Sequence, residues 1–141
     1  MVVQLNYISW ALIACLAYSF VPPLVRVATR DIPSDVAAFL SNFVLVTFIF
    51  LIISRSDESI IQHATSTSAV YIYGAGLFLG VGILAYYRAL EMGPVTHVVP
   101  IFAMFIVGGS LLGVVFLGET LSLRNVAGIL FGVLAIFLIT S

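Results

Sequence analysis

The chain has 141 residues, of which 62% are hydrophobic and 8% charged, and its formal net charge is −1. A soluble domain of this size exposes too much surface to stay dissolved with so few charges, so composition alone places the chain in a membrane, as does its mean hydropathy of +1.25. The balance of charge, with no lysine at all, excludes a nucleic-acid binder, which needs a basic face.

A helix that crosses the hydrocarbon core needs about 20 mostly apolar residues. Five segments meet or approach that length. The first covers roughly 5–25, with Arg26 and Arg30 beyond it. It lacks the basic leading region of a signal peptide and its apolar run is long, so it reads as a retained helix. The second covers 35–53 and is entered through "IPSD", with Ser34 as its expected N-cap. The loop "RSDESIIQHATST" leads to the third, 68–90. The fourth covers 94–117 and starts at Pro94, where a missing N–H costs nothing. The fifth, 123–139, is the shortest. Backbone in lipid must satisfy its own hydrogen bonds, which leaves helices or a closed barrel. Barrel strands would alternate over segments of about 10 residues, and these runs are continuous. The expected fold is an all-α, multi-pass cell-membrane protein, one domain over 1–141, with no room for a soluble domain in its loops.

Five spans put the termini on opposite sides. Arg55 and Arg124 then lie on the N-terminal side, and Arg26, Arg30 and Arg88 on the other. A difference of one arginine does not fix orientation. A chain that inserts both ways could pair with itself antiparallel. The single Cys15 cannot form an internal disulfide.

Small residues let helices approach closely in lipid. Glycine pairs at four-residue spacing occur in the last three segments: Gly76 with Gly80, Gly109 with Gly113, and Gly128 with Gly132. They read as packing faces, within the chain or against a second copy.

The stretch "YYRALEMGPVTHVVPIFAMFIVGGSLLGVVFLGETLSLRNVAGILFGVLAIFLI" resembles one half of an EamA-type member of the drug/metabolite transporter superfamily. An aromatic "YYRAL" ends a helix, a "GP" turn follows, then a helix with an early proline, then "LGE", a short link and a glycine-rich closing helix. "YSFVPPLVRVATRDIPSDVAAFLSN" is similar to the family's first helix and the start of its second. Typical members carry ten helices as two inverted five-helix repeats, and this chain is similar to one. The resemblance implies completion by a dimer and alternating access around a mid-membrane cavity lined by the first four helices. Four-helix relatives export drugs through a glutamate in the first helix. No acid occurs in that segment here, so nothing at mid-membrane can exchange a proton for a cation by that route.

Residues that could carry function are few. Arg88 and Glu91 are three apart at a helix end and can pair, as a surface ion pair or as a gate. His97 follows Pro94 by one turn; it is an interfacial histidine or a group that responds to protons or solute. One histidine without neighbouring ligands predicts no metal site, and no cofactor is expected. Pro100 leaves the Thr96 carbonyl without its usual donor and bends the fourth helix, either to line a cavity, as kinked helices do in transporters, or simply to pack; Pro22 and Pro23 raise the same question in the first. Asn42, beside Ser41, should face the bundle, to bond another helix or a solute. Tyr18, Tyr86 and Tyr87 could wall a cavity or anchor at the interface. Glu119, expected to be structural, would cap the fifth helix or pair with Arg124. "EMGPVTHVVP" is therefore a turn at the membrane surface whose second half is a candidate cavity rim.

The leading expectation is a transporter or exporter of a small metabolite or drug-like solute, working as a homodimer in the lipid bilayer. The second is a non-transporting subunit that pairs with a different half. A membrane enzyme would need His, Asp or Cys clustered near one face, and His63 and His97 belong to opposite sides.

Overall fold

A computed structural model of the chain describes residues 6–56 and 58–140. It contains eight helices and, among the described residues, no strand. They are α1 (Tyr7–Ser19), α2 (Val21–Ala28), α3 (Ser34–Ile53), α4 (Ile60–Ala64), α5 (Ala69–Met92), α6 (Val95–Ala103), α7 (Phe105–Leu117) and α8 (Leu123–Thr140). Position 5, the expected start of the first span, lies outside the described residues. The chain divides into two compact units, Met1–Met92 and Gly93–Ser141.

Among the described residues, four stretches are long and apolar enough to cross a membrane: Tyr7–Ala28, Ser34–Ile53, Ala69–Met92 and Val95–Leu117. The apolar part of α8, Leu123–Ile139, is shorter, roughly 26 Å of helix at 1.5 Å per residue. α3 shows why the setting is lipid. It is apolar all round, and Phe39, Phe43 and Phe48 are 68%, 62% and 64% exposed. A helix apolar on every face belongs in a large core or a bilayer, and this chain gives it no large core.

Two expected continuous helices are broken. In the first span, Pro22 and Pro23 have no N–H to give to Tyr18 and Ser19. The ladder tightens instead at Phe20, whose N–H reaches the Ala17 carbonyl at 3.3 Å, and α2 starts afresh with proline in its first turn. In the fourth span Pro100 does the same. Met104 N–H turns to the Ile101 carbonyl at 3.1 Å, and α7 begins one residue later.

The ends follow local chemistry, with one correction. Asn6 caps α1, its side-chain oxygen accepting from Ser9 N–H at 2.9 Å. Ser34, expected as the cap of the second span, is instead the first residue inside α3, and Pro33 stands at the cap without a side-chain bond. The Pro33 carbonyl takes the Ala37 N–H at 2.9 Å, so a proline that has fixed its own extended backbone starts the helix. The loop 54–68 also holds the short helix α4, where Ser59 accepts from Gln62 N–H. Tyr73 of α5 donates to the Ala64 carbonyl at 2.7 Å and holds α4 in place.

Most of the core of the first unit lies at one end, with Ala69 buried at the opposite end of α5. Val25 and Thr29 at the end of α2, Ser34, Ala37 and Ala38 at the start of α3, and Tyr86, Tyr87 and Leu90 at the end of α5 are all buried. Small residues on α3 let the tyrosines of α5 close in.

Candidate functional site

Polar ties gather at that same end of the first unit. Arg26 of α2 donates from Nη1 to the Leu90 and Glu91 carbonyls, at 2.6 and 2.5 Å. These are among the last carbonyls of α5, which have no intrahelical donor and sit at the negative end of its dipole. A guanidinium satisfies both needs. Arg88 makes a two-point pair with Asp35, Nε to Oδ1 at 3.0 Å and Nη2 to Oδ2 at 2.9 Å. The fork geometry suits a carboxylate, and Asp35 also sits where the first turn of α3 favours an anion. Deeper in, the Tyr87 and Ser41 hydroxyls are 2.7 Å apart, and Ser41 Oγ in turn donates to the Ala38 carbonyl. Tyr87 is therefore the donor of the pair. Arg26, Asp35, Ser41, Tyr87 and Arg88 thus tie α2 and α3 to the end of α5.

This arrangement revises several expectations. Arg88 pairs across to Asp35, 53 positions away, rather than with Glu91 on its own helix. Glu91 keeps an exposed side chain beside it and contributes its carbonyl to Arg26. The Asn42 amide bonds its own helix, donating to the Ala38 carbonyl at 2.8 Å. The interhelical bond comes from its neighbour Ser41. Tyr86 is buried with Tyr87, whereas Tyr18 is 69% exposed on α1. Arg26, Asp35 and Ser41 were missed as site residues. A signal existed, since both charged groups of the Arg88 pair fall near span ends assigned to the same membrane side.

In the second unit, His97 stays exposed in the early part of α6, and Pro100 is half-buried. Between the α6–α7 junction and α8 runs a groove of about 330 Å³. Ala103, Ile106 and Val107 form one wall, and Asn125, Gly128 and Gly132 line the other. Asn125 was not singled out from the sequence, because one amide near a helix start has no periodic signal. The glycine pairs do not bring helices together inside either unit. A Cβ at Gly76, Gly80, Gly109, Gly128 or Gly132 would meet nothing within 4 Å. At Gly113 a Cβ would sit 2.9 Å from Glu119 Oε2. Glu119 thus folds back over α7. It does not cap α8, and the cap is Ser122, whose Oγ accepts from Asn125 N–H at 3.2 Å. Nor does it pair with Arg124.

Residues 5–141 match the model of the EamA-like transporter family. The chain belongs to that family. A protein of Sinorhizobium sp. named as an uncharacterized transporter in the cobO 3′ region is 29% identical to it over 123 residues, covering 86% of this chain and 87% of the relative. No solved structure matches the chain. As an EamA-like protein with several apolar helices of spanning length, it is a multi-pass membrane transporter.

Proposed function

We propose that this EamA-like chain moves a small metabolite or drug-like solute by alternating access, as a homodimer of antiparallel five-span copies. The whole chain then acts as one domain, and α8 is its fifth span. At roughly 26 Å it is somewhat short for the hydrocarbon core, a mismatch that local thinning of the bilayer accommodates at modest cost. A relative named as a transporter, 87% of which this chain covers, supports a second copy as the source of the inverted half.

The observation that carries the reading is the one-ended packing of the first unit. α2, α3 and α5 are tied where Arg26, Asp35, Tyr87 and Arg88 meet. Farther along, α3 and the start of α5 leave large apolar side chains open, from Phe43 and Phe48 to Phe78. A half-bundle held shut at one membrane face and unpacked beyond it is what one side of an alternating-access cavity requires. In this scheme Arg88 and Glu91 belong to the gate, with Arg26 and Asp35 as its fastening. Tyr86, Asn42, Tyr18, His97 and Pro100 lie on the four spans that would line the path. The glycine pairs whose faces stay open within each unit are then free for contact with the second copy.

The test is orientation. C-terminal fusions to one reporter active only inside the cell and another active only outside are expected to give comparable signals. Signal from one reporter alone would overturn the antiparallel homodimer and point to a different chain as the second half.

A further inference from the structure

We propose that the groove between the α6–α7 junction and α8 is a binding site for an uncharged, mostly apolar solute that presents N–H or O–H donors. The inference rests on the transporter reading above and adds to it a class of solute and a place in the chain.

The groove has the size of a small-molecule site, about 330 Å³. Its walls are apolar apart from the Asn125 amide, and no charged side chain lines it. An ionic solute would find no countercharge there. The second observation is the broken helix on its wall. Pro100 has no N–H, so the Thr96 carbonyl loses its helical donor. Met104 N–H goes to the Ile101 carbonyl, so the Pro100 carbonyl loses its own. The break at Met104 falls near the middle of the span Val95–Leu117. Thr96, Pro100 and Ala103 are spaced to share one helix face, and Ala103 is on the groove wall.

Thr96 stands at the start of the span, but the Pro100 carbonyl is freed toward its middle, where it is costly in hydrocarbon unless a donor reaches it or it borders a polar cavity. A lipid acyl chain in the groove offers no donor. A solute with an amide or hydroxyl head and an apolar body offers both parts, and Gly128 and Gly132 leave its body room along α8.

The full chain in phosphatidylcholine nanodiscs would be labelled with a diazirine-bearing long-chain primary amide, and separately with its N,N-dimethyl twin. The two probes share an apolar body and differ only in N–H donors. Residues 100–107 and 125–136 are expected to take up the primary amide about fivefold more, the ratio that one net hydrogen bond gives. Gly128→Leu, which projects into open space, should lower labelling by both probes. Pro100→Ala lets the ladder run on through the break, so that the Met104 N–H returns to the carbonyl at position 100, and should bring the ratio close to one while labelling persists. Equal labelling by the two probes in the native chain, or an unchanged ratio in Pro100→Ala, overturns the site. Labelling needs no transport, so selective labelling of a chain that moves no solute would keep the site and reject the transporter reading.

Discussion

The guanidinium of Arg26 reaches a helix end whose last carbonyls have no intrahelical donor. α5 stops at Met92 before Gly93 and Pro94, and Pro94 cannot extend the ladder. Two charge-assisted bonds from one side chain therefore fix where α2 meets α5. Arg26→Leu removes both and leaves the carbonyls beside Leu90, which is fully buried. It should cost about 1.5–3 kcal/mol, read by reversible unfolding in mixed micelles. A variant indistinguishable from the native chain would mean water replaces the guanidinium freely. Arg88 teaches a related point about reading sequence. A partner three positions along was visible, but a carboxylate 53 positions away offered better geometry. Local spacing shows which pairs are possible, and only packing shows which one forms.

At the scale of elements, prolines and glycines set the breaks. Spans one and four looked continuous because hydropathy does not register a missing N–H. Pro22, Pro23 and Pro100 were visible as bends, yet the sequence did not show where the new helices would begin, α2 at Val21 and α7 at Phe105, past Pro100. The turn after α7 has a sharper requirement. Gly118 is left-handed, with φ 66°, and lets the chain fold back so that Glu119 N–H meets the Gly113 carbonyl at 3.3 Å. Gly118→Ala should cost about 1–2 kcal/mol, because a Cβ in this region crowds the following carbonyl. Gly113→Ala should be nearly neutral, since the atom it meets is the mobile end of the exposed Glu119 side chain. Thermal unfolding in detergent followed by circular dichroism compares the two. Equal losses would show that α7 ends by another geometry.

For the whole molecule, the arginine balance left orientation open, and the composition placed the apolar faces in lipid. The exposed glycine faces of α5 and α7, at Gly76, Gly80 and Gly109, are where a second copy would approach. Particles extracted in native-membrane nanodiscs are expected to contain twice the protein mass of one chain. A mass of one chain would remove the homodimer.

By itself the sequence determined the membrane setting, the order of the apolar segments, the family likeness and the positions of the bends. Those follow from composition, run length and covalent facts such as a proline's lack of N–H. The tertiary structure decided which side chains meet: Arg26 with the end of α5, Arg88 with Asp35, and Ser41 with Tyr87. Such contacts depend on the rotation and approach of whole helices. A helix apolar on every side, as α3 is, carries no periodic mark of which face will turn inward.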